Sequence, residues 1–328
     1  MSWLLLLDRE SLVIEYRSFH NSDPPQLVAL WHQAELGRGA AAGFTTDAFE
    51  TLIFAQPYFD RDGLIVACDG SKIIGYAHAG FGANSDESAL AYKSGVVCAL
   101  IVHPQYRRRG VGRELMARAE RYMNDRGVQT ILAGPAEPND PFYVGLYGGS
   151  QPCGFLDSDP DAAPFLAALG YERTTQWRVY QRDMNAQRDP MSFRLATHRR
   201  RTQLAIADRP NRETWWWLTR FGRVESLLFV LLPKEGGSPI GAVSVVGLDL
   251  YLQKWGERAV GLLDLEVNDE QRSEGYGQAI LVEVCRRLKN ELVTRIEAHA
   301  LETDAASIGV LESSGFEQVD TGAVYRRT

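Results

Sequence analysis

Twice along this chain an apolar stretch enters a charged turn containing Gly-x-Gly and continues into a helix-forming segment. The first copy is ALIVHPQYRRRGVGRELMARAERYM and the second LDLEVNDEQRSEGYGQAILVEVCRRL. Duplication on this scale means two units of similar fold, each using one copy. What surrounds each copy agrees. Upstream of the first, GLIVACDGSKIIGYAHAGFG reads as a hairpin turned at Asp69-Gly70, and upstream of the second, SLLFVLLPKEGGSPIGAVSVVGLDL reads as another. Downstream, VQTILAGP and RIEAHAL are further strands. Each half then closes with a helix ending in Gly plus an aromatic, at Gly170-Tyr171 and Gly315-Phe316, followed by a last hairpin. In the first half PPQLVALWHQAEL is an additional helix, with Pro at its start and Leu27, Leu30, Trp31 and Ala34 on one face.

The copies differ in spacing. Gly110 to Gly170 spans 60 residues and Gly275 to Gly315 spans 40, so the first half carries 20 more. These fall in AEPNDPFYVGLYGGSQPCGFLDSDPDA, within an insertion over about 135–160. Its YVGLYGG stretch reads as a substrate lid or as an inserted surface loop. The most polar break, Arg182 to Ser192, divides the chain into units 1–185 and 190–328. A length of 328 residues suits two cores, and 45% hydrophobic with 23% charged residues is the composition of a soluble globular protein. The opening MSWLLLLDRE has no basic flank and too short an apolar run for a targeting segment, so it reads as a strand or a docked terminus.

Physical chemistry gives the repeated turn a use. The first N–H groups of a helix lack internal partners and lie at the positive end of its dipole. Glycine lets a ligand approach the backbone, and neighbouring arginines add charge-assisted bonds. The device binds phosphate. It is not a Walker loop, since no Gly-Lys-Ser/Thr follows, and it lacks the third glycine of the dinucleotide fingerprint. A net charge of −7 argues against nucleic acid as the partner. Cys68, Cys98, Cys153 and Cys285 have no metal-ligand spacing, and they fit a reducing, cytoplasmic compartment without a metal.

The pattern Arg-x-x-Gly-x-Gly, at Arg107 to Gly112 and Arg272 to Gly277, resembles the acyl-CoA motif of the GNAT acetyltransferase superfamily. DPDAAPFLAALGY and DAASIGVLESSGF are similar to the family's following helix. The resemblance implies an α/β fold of two tandem GNAT-like domains, each a mixed twisted sheet flanked by helices. It implies acetyl-CoA as cosubstrate, with pantetheine against Leu100, Ile101 and Val102 and pyrophosphate over Arg107, Arg108, Arg109, Gly110, Val111, Gly112 and Arg113. The expected activity is direct transfer of an acetyl group to the amine of a small molecule. Transfer resembling that of mycothiol synthases and non-catalytic acyl-CoA binding are the alternatives. The family's tyrosine acid is replaced by Leu166 and Leu311, and its asparagine by Asp159 and Asp304. Tyr147 and Tyr143 are therefore the candidate acids, and Glu137 the candidate base through water. Glu274 opposes anion binding in the second copy, which is expected to be degenerate. The oligomeric state stays open.

Overall fold

The computed structural model describes residues 13–207 and 213–328; the opening MSWLLLLDRE lies outside them. The first half runs β1 (Ile14–Ser18), α1 (Pro24–Gln33), α2 (Thr46–Phe49), β2 (Leu64–Asp69), β3 (Lys72–Ala83), β4 (Leu90–Val102), α3 (Val111–Asn124), β5 (Thr130–Ala133), β6 (Phe155–Leu156), α4 (Ala162–Ala167) and β7 (Tyr171–Asp183). The second runs α5 (Phe193–Arg201), β8 (Thr202–Ala207), α6 (Trp215–Phe221), β9 (Ser226–Pro233), β10 (Gly241–Gly247), α7 (Leu252–Trp255), β11 (Ala259–Val267), α8 (Tyr276–Asn290), β12 (Arg295–Leu301), α9 (Ala305–Ser313) and β13 (Glu317–Arg327).

Both predicted hairpins form. Asp69 pairs with Lys72 around Gly70, whose φ of 58° supplies the left-handed turn residue. The expected last hairpins do not form. Each is one unbroken strand, β7 or β13, and the two pair antiparallel over their whole length. Neither stretch contains a turn dipeptide, and each runs on as a strand, with irregularities at Gln318/Asp320 and Val324/Tyr325.

That pairing exchanges the closing strands. Sheet order is β1-β2-β3-β4-β5-β13-β7-β12-β11-β10-β9-β8, with β6 on β13. The first half's β5 is followed by the second half's β13, and the second half's β12 by the first half's β7. One mixed sheet therefore runs through both halves.

α3 and α8 pack on one face of this sheet. Leu115, Met116, Ala119 and Met123 of α3 are buried against Ala67, Ala77 and Val97. Ile280, Leu281, Val284 and Leu288 of α8 are buried with Val243, Leu262 and Ile296. Each of the Leu, Ile, Val and Met side chains contributes about 1.5–3 kcal/mol by leaving water. A further core, with Trp31, Phe49, Tyr76 and Tyr143, unites α1, α2, β3 and the insertion. The surface-loop reading of the insertion is corrected by its burial. Phe142, Tyr143, Val144, Leu146 and Tyr147 are buried. Too many large apolar groups occur in YVGLYGG for an exposed loop, and they fill the space between the halves. Val144 meets Trp217, Phe221, Val246 and Leu263 of the second half.

Candidate functional site: two cradles on one sheet

In the first half β4 and β5 pair in parallel only from Ser94–Thr130 to Val97–Ala133. Beyond them Cys98 is an extra residue on β4, a bulge opposite the His78–Ala79 step of β3. The strands then part. β4 continues through Leu100, Ile101 and Val102 to a short turn, Pro104–Tyr106, capped by the His103 ring accepting from the Gln105 amide at 3.3 Å.

The cradle follows. Arg108 has φ 62° and Gly110 φ 87°. Two left-handed residues turn the chain sharply into α3, and at Gly110 nothing lies within 4 Å of where a Cβ would point. The Glu114 amide is the first to reach a helix carbonyl, that of Gly110, at 3.0 Å. The amides of Val111, Gly112 and Arg113 therefore lack helical partners. A Cβ on Gly112 would lie 3.2 Å from the Phe165 ring of α4 and 3.6 Å from Leu100, so the absent side chain leaves a narrow seam between α3, α4 and β4.

The four arginines divide by role. Arg107 is bound into the scaffold: its guanidinium donates to the carbonyl oxygens of Val102 (3.1 Å) and Ala34, and to Asp161 of the α4 N-cap (3.0 Å). Arg108, Arg109 and Arg113 are exposed around the cradle and form no ion pair among the described residues. Arg109 also lies over the Tyr106 ring, at 5.6 Å.

The second half repeats the backbone. β11 pairs with β12 only from Ala259–Arg295 to Gly261–Glu297, and the strands then part. Ser273 has φ 64° and Gly275 φ 86°. Arg272 donates to the Val267 carbonyl at 3.3 Å, as Arg107 does to Val102. Gly277 abuts Val310 of α9, as Gly112 abuts Phe165. The side chains differ. Arg272 is paired with Asp269, and Glu274 stands where the first copy has Arg109. Sequence reasoning missed Arg194 of α5. Its guanidinium lies where a Cβ on Gly275 would be, the Nε at 2.7 Å. His198, one turn on, approaches the Glu274 carbonyl at 3.0 Å. The signal was FRLATHRRR, a basic helix whose place in space no local pattern could assign.

The three candidate catalytic residues are not brought together. Tyr143 is 1% exposed, its ring stacked on Trp31 at 5.9 Å and its oxygen 3.2 Å from His78 Nδ1. Burial holds its pKa well above the usual phenol value, so the hydroxyl keeps its proton. Burial also pushes His78 down to about 3, so that ring is neutral. Tyr147 is buried further along the insertion, accepting from the Leu156 amide at 3.1 Å. Glu137 is exposed. Tyr76 and His78, two apart on β3 and so on one face, complete the polar group around Tyr143. The alternation of YAHAG could have revealed them.

A second buried polar group joins the halves. Glu297 accepts from the Ser150 amide and from Gln181 Nε2, both at 3.0 Å. His299 Nδ1 lies 3.1 Å from Ser150 Oγ. Burial raises Glu297 to about 7 and lowers His299 to about 4. No group of metal-ligating side chains occurs among the described residues, and no helix there is long and apolar enough to cross a membrane.

A mixed sheet whose central strands part before a helix-opening turn, built twice, defines a duplicated α/β fold. The profile of the acetyltransferase (GNAT) family matches residues 26–155 and 193–316, and the chain belongs to that family, whose members use an acyl-CoA cosubstrate. No curated protein matches the sequence. Among solved structures, the chain is similar to a tandem GNAT protein from the clavulanic acid biosynthesis pathway, at 20% identity and TM-score 0.66, covering 95% of this chain and 98% of that one. A GCN5-related N-acetyltransferase from Sphaerobacter thermophilus is 14% identical with TM-score 0.62, covering 96% and 95%. A GCN5-related glucosamine N-acetyltransferase region of a fungal multi-domain enzyme is 16% identical with TM-score 0.68, covering 96% of this chain and 38% of that one. At these identities the likeness establishes the fold.

Proposed function

We propose that the protein is an acetyl-CoA-dependent N-acetyltransferase whose first half holds the cosubstrate and passes its acetyl group to the amine of a small molecule. The observation that carries this reading is the first cradle itself: three amides without helical partners, ringed by Arg108, Arg109 and Arg113, at the end of a strand that parts from its neighbour. Pyrophosphate suits those amides and guanidiniums. Pantetheine then follows Leu100, Ile101 and Val102 through the seam that Gly112 leaves open, with Phe165 turning aside.

The thioester in this pose lies near the Cys98 bulge, where Tyr143 is the nearest of the candidate acids. With the neutral His78 ring protonated on Nδ1, that nitrogen donates to the Tyr143 oxygen, and the departing thiolate takes the phenol hydrogen in competition with Tyr76. Tyr147 and Glu137 are second choices, one for its bond to the Leu156 amide and the other for its place on the surface. The second cradle, with Glu274 beside its amides and Arg194 across it, is assigned weaker binding.

One observation favours a different reading. The face of β4 that an acceptor would approach is buried under the insertion, as Cys98, Ala99 and Ile101 attest, and this suits an acyl-CoA binder without turnover. Thiol release from acetyl-CoA over a panel of amines, beside calorimetric binding of acetyl-CoA, separates the two. Release supports the transferase; tight binding without release on any amine supports the binder.

A further inference from the structure

Beside the first cradle two cations gather on one ring. The Lys72 ammonium lies 5.7 Å from the centre of the Tyr106 ring, and the Arg109 guanidinium 5.6 Å from it. They come from different elements. Lys72 opens β3 at the hairpin turn, and Arg109 belongs to the turn into α3. The ladder between β3 and β4 brings the two turns together: Gly75 pairs with Val102, and the His103 amide donates to the Ile74 carbonyl at 2.8 Å.

Tyr106 is fixed between them and the strands. Its hydroxyl donates to Asp69 at 2.6 Å, and the His103 ring meets it edge-on at 5.8 Å. Lys72 and Arg109 are exposed, and neither forms an ion pair among the described residues. Cation–π attraction at an exposed site is weak, and two like charges on one ring repel. The neighbouring carboxylate, Asp69, is engaged by the phenol. Two long side chains with exposed heads can close on one anion from either side, and such a pair is complementary to a dianion. The second half offers a comparison within the chain. It repeats the cradle backbone, yet Gln271 stands where Tyr106 is and Glu274 where Arg109 is, and its hairpin turns through Gly236-Gly237-Ser238. The cations on this flank are therefore no requirement of the turn.

We propose that Lys72 and Arg109, gathered on Tyr106, form a subsite for the 3′-phosphate of CoA, and that the first half distinguishes CoA from its 3′-dephospho form. This rests on the reading that the first cradle holds acetyl-CoA. With the pyrophosphate on the amides of Val111, Gly112 and Arg113, one ribose carries the 3′-phosphate to the rim of the cradle. A phosphate monoester there has about −1.5 to −2 charges and three acceptor oxygens, enough for an ammonium and a guanidinium at once.

The test is calorimetric binding of acetyl-CoA and of 3′-dephospho-acetyl-CoA. The wild type is expected to bind acetyl-CoA about tenfold or more tightly than the dephospho form, as a charged hydrogen bond predicts. Lys72→Met is expected to weaken acetyl-CoA about tenfold and to leave the dephospho form within about twofold, whereas loss of a general positive field would weaken both alike. Lys72→Arg keeps the preference. Arg109→Met, which also faces the pyrophosphate, weakens both forms and acetyl-CoA the more. Equal affinity of the wild type for the two forms, or a preference untouched by Lys72→Met, overturns this inference and leaves the transferase reading standing. Failure of either form to bind overturns both.

Discussion

Glu297 is a buried carboxyl, gripped by the Ser150 amide and Gln181 at the point where β11 and β12 separate. Burial raises its pKa from 4.5 to about 7. It therefore binds a proton more tightly folded than unfolded. The stability this group supports is complete below pH 4.5 and is lost as pH rises through about 7. Relative to wild type, Glu297→Gln should gain on the order of 3 kcal/mol between those limits, read as the pH dependence of the difference in unfolding free energy from urea titrations. At Tyr143 the expected change is in rate. If it protonates the thiolate, Tyr143→Phe lowers kcat roughly 100-fold, apart from the about 1–3 kcal/mol of stability lost by leaving His78 Nδ1 without its partner. Tyr147→Phe, which deprives the Leu156 amide of its acceptor, should cost about 1–3 kcal/mol of stability and leave kcat nearly intact. Sequence alone could name both tyrosines because aromatics in a Gly-rich insertion stand out. It could not rank them, because their difference lies in partners from β3 and β6 that no local pattern specifies.

The cradle is where an element can be read from sequence almost completely. Its parts are consecutive: a strand, two left-handed residues, a helix start. Each is announced by residue type within a dozen positions, and the same logic located the second copy. What sequence could not divide was the labour of the arginines. Arg107, at the motif's first position, proves to be a strut between Val102, Ala34 and Asp161, and the guanidiniums around the amides belong to its neighbours. Arg107→Met is accordingly expected to lower stability by about 1–3 kcal/mol, visible in the urea midpoint. Arg109→Ala and Arg113→Ala should weaken acetyl-CoA binding in a salt-dependent way while changing stability by less than about 0.5 kcal/mol. Calorimetry at two ionic strengths distinguishes the outcomes. The last strands show the opposite limit. A hairpin and one long strand can share the same residue types, and the choice was made by a partner from the other end of the chain.

At the scale of the whole molecule, two similar units were legible, and their common sheet was not. Repeats in sequence say that a unit occurs twice; they do not say which copy's strand completes which sheet. Here β13 lies between β5 and β7, and β7 lies between β13 and β12. A chain stopped at residue 190 should therefore expose the free edge of β5 and leave β7 unpaired, and it is expected to aggregate or bind a hydrophobic dye. Co-expression with residues 191–328 should restore a soluble, sharply melting complex; an isolated first half that melts cooperatively would contradict the exchange.

The same exchange puts a clock on biosynthesis. Roughly 180 residues separate Ala133, at the end of β5, from Glu317, where its neighbour begins, and at typical elongation rates the ribosome needs on the order of 10–40 s to make them. Once α4 has been made, the nascent chain displays a finished cradle on an unfinished sheet. Any helper that shields the waiting edge of β5 has to let go only when β13 arrives, so the speed of translation past the midpoint becomes a determinant of yield.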